Sequence, residues 1–419
     1  MVAAKPGPPP EPVSSRLRHQ LVHPNRTNRL IEARYTPDGH TILAWDVPDG
    51  IVQSWDAATG KQGTSVLTGY EPPWSNVVFA PDGSSVFVSR YNEQSMGIER
   101  DGRELRHVEF ESDIRQLELS TGELRATFRH EPARGIRRFV LSPEGSALVT
   151  FDELPGEYEG AVRRTASLWD VKRGTHRALG DGLADQGAFS RDGRTFAAKL
   201  VNDNNRTTAI KLFDTATGRE KLIIPVPERD AFVDRLTFSP DGKLIVGELA
   251  IIEPREDWLK FWDAETGEEK AALQAEPGAS FSGAAFSPDG GTLAVVNRLA
   301  EHRKLLLFDV ATRAVARTVL LGPKATVHGP TFSADGKWIA VVTQVLPEGL
   351  SLRDAAPEDV PQPRIHLVEA AAGAVRETLV GPEGFCASPS FSPDGNSLVI
   401  PGHGKVLVWD LSDPPLAGE

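Results

Sequence analysis

Eight times along the chain a short apolar run is followed by an acidic residue and a glycine: "RYTPDG", "VFAPDG", "VLSPEG", "AFSRDG", "TFSPDG", "AFSPDG", "TFSADG" and "SFSPDG". The acidic positions are Asp38, Asp82, Glu144, Asp192, Asp241, Asp289, Asp335 and Asp394, so successive copies stand 44 to 62 residues apart. The signature is that of a hairpin. Proline presets φ for a turn, the carboxylate hydrogen-bonds the local backbone, and glycine takes the positive φ that closes it. One such unit cannot bury an apolar face alone, so the copies must stack.

A second signature follows in most units: "QSWDAATG", "SLWDVKRG", "KLFDTATG", "KFWDAETG", "LLFDVATR" and "LVWD". Here an apolar strand ends in an aromatic-Asp pair, usually with a glycine four residues later, and a second turn leads to a fourth strand such as "LRATF". Four short antiparallel strands at this period make a β-propeller blade. The sequence therefore predicts an all-β, closed β-propeller of four-stranded antiparallel blades. Counting units gives eight blades, with seven as the alternative if one copy is misassigned.

On these residues the chain resembles the WD-repeat family in its degenerate bacterial form. Trp-Asp stands at Trp55-Asp56, Trp169-Asp170, Trp262-Asp263 and Trp409-Asp410, and Phe-Asp at Phe213-Asp214 and Phe308-Asp309. Two copies drift, to Leu119-Ser120 and Val368-Glu369, and Trp45-Asp46 is a decoy in the second strand of its unit. The family's Gly-His dipeptide survives as remnants at His23 and His130. Its Asp six residues before the Trp survives as Asp49, with His403 in that place in the last unit. The resemblance thus implies that the family's buried polar network is mostly absent, leaving apolar packing and strand ladders to hold the blades. It also implies a binding role.

After Trp409-Asp410 only "LSDPPLAGE" remains, and its prolines prevent a further strand. The segment before the first unit runs in step with the strand and loop before the third, so residues 16 to 22 are predicted to complete the last blade and close the ring. This divides the chain into a Pro-rich tail at 1–14, one propeller at 15–412 and a short tail at 413–419. The first tail would serve equally as a linker from a longer polypeptide.

Function classes narrow next. The 46 basic residues against 58 acidic ones leave a net charge of -12, which argues against nucleic acid or an anionic membrane and for a protein partner with a basic surface. Cys386 is the only cysteine and excludes an internal disulfide. The N-terminal "MVAAKPGPPPEPVSSR" has no apolar core segment, so it reads as neither signal peptide nor anchor, and the expectation is a cytoplasmic, monomeric protein. No nucleophile, phosphate-loop or metal-ligand motif occurs, and no cofactor, metal or catalytic residue is expected. The alternative is a hydrolase or lyase with a site in the central channel, using a divalent metal, because such sites leave no local motif.

Three long insertions fall between second and third strands, at 91–112, 152–163 and 344–363, and so crowd one end of the ring. Each carries three more acids than bases, a concentration that would steer a basic partner. The candidate contact residues are Trp74 in the crossing loop "GYEPPWSN", Tyr91, Glu153, Glu157, Tyr158 and Glu159, and Glu348, Asp354, Glu358 and Asp359. Tyr and Trp would supply binding energy and the carboxylates attraction.

Overall fold

The acidic-glycine motifs close tight turns by a hydrogen-bond cycle that their side chains dictate. At Asp192, Asp241, Asp289, Asp335 and Asp394 the serine two residues earlier donates to the carboxylate at 2.5–2.7 Å. The same carboxylate accepts the amide two residues on, at 3.0–3.1 Å. The serine hydroxyl in turn accepts the amide that opens the next strand, at 2.9–3.0 Å. The glycine after the Asp stands at positive φ, +72° at Gly242 and +74° at Gly395, where a side chain would be strained. The second signature builds the other turn. Asp56, Asp214 and Asp309 each accept both the amide and the hydroxyl of a threonine three residues later.

The computed structural model describes residues 16–412, apart from 25–28, 48, 70–75, 101–102, 132–133, 156–161, 229, 254, 300, 324, 346–359 and 385. For 29, 31, 47, 91–100, 103–111, 155, 162 and 185 it describes the backbone alone. Its strands form eight antiparallel four-stranded sheets arranged as a ring, an eight-bladed β-propeller. Blades 1 to 7 span 29–67, 77–128, 135–181, 183–225, 231–274, 280–323 and 326–380, each in sequential strand order. Blade 8 takes three strands from 390–410, and its fourth is Leu17–Val22, paired antiparallel with Lys405–Asp410 from Leu17↔Trp409 to Val22↔Lys405. Both the blade count and the ring closure agree with the sequence reading. Neither tail, 1–14 or 413–419, lies among the described residues.

The first strands of blades 3 and 4, 4 and 5, and 6 and 7 lie against one another, so first strands form the inner wall of the ring. Apolar cores sit between neighbouring blades. Phe87, Ile114 and Phe128 of blade 2 pack with Ile136, Phe139, Leu148 and Trp169 of blade 3, and blades 5 and 6 meet through Phe261 and Phe308. Each such aromatic contributes about 1.5–3 kcal/mol by burial. Among the described residues no helix is long and apolar enough to cross a membrane.

Register corrects two motif assignments. In blade 2 the pair opposite Ser85 and Val86 is Glu118 and Leu117, the places that Asp170 and Trp169 hold in blade 3, so the drifted Trp-Asp is Leu117-Glu118 and not Leu119-Ser120. The acid that faces His23 is Asp46, both side chains fully buried and 3.2 Å apart, whereas Asp49 is exposed. Counting back from the Trp misleads, because the acid belongs to the second strand, five residues after that strand begins at Thr41 or Ala147.

Candidate functional site

The end of the ring that carries the second-to-third strand connections is the candidate site. Blade 2 dominates it. Its second and third strands, Ser85–Arg100 and Arg103–Glu118, have sixteen residues each and pair without a break from Ser85↔Glu118 to Arg100↔Arg103. The second strand of blade 1 has seven residues, so about nine residues of ribbon stand beyond the sheet, roughly 30 Å at 3.3 Å per residue. Insertion 91–112, read from sequence as a loop, is therefore a hairpin arm. The signal was present: Asp101-Gly102 is a two-residue hairpin turn sequence between matched runs.

Buried polar residues anchor the arm and the neighbouring insertions at their roots. Asp113, 1% exposed, accepts from Arg90 at 3.1 Å and Arg129 at 3.2 Å, with Arg115 at 3.5 Å. One carboxylate among three guanidiniums thus holds the base of the ribbon. In blade 7 Gln344 donates to Pro361 and Gly384 carbonyls at 2.9 and 2.7 Å, and Thr343 hydrogen-bonds His366 at 2.9 Å.

Blade 3 has the most developed root. His130 lies 3.0 Å from Asp152, which also accepts the Ser167 hydroxyl at 2.9 Å, and Trp169 Nε1 donates to Thr150 at 3.1 Å. His130 also meets the exposed His176 at 3.3 Å. Burial, then the neighbouring His130 and Arg134, holds the His176 pKa below the ordinary 6.5. This network and the His23–Asp46 pair are what remains of buried polarity at these positions in blades 3 and 1. Sequence reasoning found both histidines but not their partners.

The selected contact residues fare unevenly. Tyr91 lies on the ribbon opposite Ser112, its backbone alone described. Glu153 is 7% exposed on the second strand of blade 3 and forms an ion pair with Arg137 at 3.1 Å. It faces the wall rather than solvent, because strand pairing carries the residues up to Pro155 into the sheet. Asp152 and Glu153 are thus both paired within the fold. Trp74, Glu157, Tyr158, Glu159, Glu348, Asp354, Glu358 and Asp359 lie outside the described residues. Among the described residues no group of three or more His, Cys, Asp or Glu side chains is placed to hold a metal ion.

No protein-family model matches the chain, and no curated protein matches it.

Proposed function

We propose that the protein is a non-enzymatic interaction platform of the WD-repeat type, a cytoplasmic monomer that receives a basic protein surface at its second-to-third strand end. The observation that carries this reading is the blade 2 arm, a paired ribbon rooted by Asp113 and its arginines on the end shared by the insertions of blades 3 and 7. A ribbon held at its root offers a partner pre-ordered backbone, which lowers the entropic cost of association. The acids of the arm, Glu93, Glu99, Asp101, Glu104, Glu109 and Glu111, outnumber Arg100, Arg103 and Arg106, so association would be steered and salt-dependent. Trp-Asp and Phe-Asp turns in six units support the family assignment.

The test replaces residues 92–111 with a two-residue turn, keeping Arg90 and Asp113. Partner capture from source-cell extract, identified by mass spectrometry, is then compared for intact and shortened proteins. A specific partner with a basic surface that is lost with the arm and released by salt is the expected result. A partner bound equally by both proteins overturns the reading.

A further inference from the structure

The inner wall holds a feature unrelated to the arm. Asn76, Arg138, Phe139, Gln186, Arg235 and Leu236, all on or beside the first strands of blades 2 to 5, line an open cavity of about 260 Å³. Basic side chains elsewhere on this wall have partners. Arg34 donates to the Phe79 and Ala80 carbonyls, and Arg137 pairs with Glu153.

Arg138 and Arg235 differ. Both are exposed in the channel, and neither makes a hydrogen bond or ion pair with a described residue. Glu248, the cross-strand partner of Arg235, uses one oxygen on the Ala284 amide at 2.7 Å. Burial pushes its carboxyl upward, which weakens it as a counter-ion. Between the two arginines, on blade 4, the Gln186 side-chain oxygen is buried with no hydrogen-bond partner among the described residues.

We propose that this cavity binds a small oxyanion, a carboxylate or phosphate compound. Two guanidiniums in one partly enclosed space repel one another, and an oxyanion between them removes that repulsion while accepting their forked N–H groups. Low-dielectric walls concentrate the field, so the site is cationic within a chain of net charge -12. The cavity volume suits a metabolite-sized molecule, and the site stands independently of the arm and its partner.

The test is calorimetric titration of the intact protein with inorganic phosphate and with citrate, each against sodium chloride at equal ionic strength. Binding of either ion that weakens about tenfold in Arg138→Gln and again in Arg235→Gln is expected, the loss appropriate to one charged hydrogen bond. The tighter ion tells phosphate from carboxylate. Near-UV circular dichroism checks that the variants fold. Independently of folding, phenylglyoxal modification of residues 138 and 235, mapped by mass spectrometry, slows when the ion is bound. Heats no greater than those of chloride, or affinity unchanged in the double variant, overturn the proposal.

Discussion

Blades 3 and 4 are neighbours with the same strand order, yet they solve one packing problem in opposite ways. Aligned by register, Trp169, Thr150 and Asp152 of blade 3 correspond to Phe213, Ala198 and Leu200 of blade 4. In blade 3 the indole finds the Thr150 hydroxyl, and Asp152 finds His130 and Ser167. In blade 4 the fully buried Phe213 and Ala198 have no polar atom to satisfy, and Leu200 packs against the same apolar cluster. The difference teaches that a blade needs only the period and the apolar volume. Polar members come as a set, because a buried indole N–H or carboxylate is tolerable only with its partners.

The largest effect expected is at Asp152. Installing blade 4's residue, Asp152→Leu, leaves His130 and Ser167 buried without their acceptor and should cost about 3–5 kcal/mol in urea unfolding. Adding His130→Leu and Ser167→Ala should restore more than half of it. A single-variant loss below about 1 kcal/mol would break the comparison.

Next in size is the reverse graft. Phe213→Trp places an N–H beside Ala198 and overfills the site, so a loss of about 2 kcal/mol is expected. Joining it to Ala198→Thr should reduce that loss, as measured by the unfolding midpoint. Trp169→Phe removes the donor and leaves a small cavity at a fully buried site, and should cost about 2 kcal/mol, only partly recovered by Thr150→Val.

The smallest effects lie in pH. His176 in blade 3 has a lowered pKa, so the unfolded chain binds its proton first, and stability is lost as pH falls below 6.5. Asp192 in blade 4 is lowered by the Ser190 hydroxyl and the Arg194 amide, so its contribution is present above 3.8 and lost as pH falls further. Hydrogen exchange, corrected for intrinsic rates, should show blade 3 loosening first on acidification. Equal protection of both blades from pH 7.5 to 5 would contradict this.

What was legible in the sequence is what a single unit encodes. The Ser-x-Asp-Gly turn, the aromatic-Asp turn and their spacing lie within one blade, so eight blades and the closing strand could be read directly. Asp46 and Asp152 escaped because their histidines come from the connection before the blade, and the insertion between Asp152 and Trp169 spoils any fixed spacing. The blade 2 arm reads as a loop in sequence because its runs, with nine charged residues between 91 and 112, lack the apolar alternation of the other strands. Arg138 and Arg235 were invisible for another reason: they lie on blades 3 and 5, and only the ring brings their neighbourhoods together.

Pairing Leu17–Val22 with Lys405–Asp410 also orders events in time. Each of the first seven blades is assembled from neighbouring sequence and can form as the chain emerges. The strand at 17–22 must wait, its edge open, while almost four hundred residues are made. Until residues 405–410 arrive, Leu17–Val22 has no ladder partner and the open arc ends in uncovered apolar blade faces, the state most exposed to mispairing with another chain. A chain interrupted anywhere before Lys405 stays in that state, so closure separates finished molecules from unfinished ones by the same hydrogen bonds that hold the last blade.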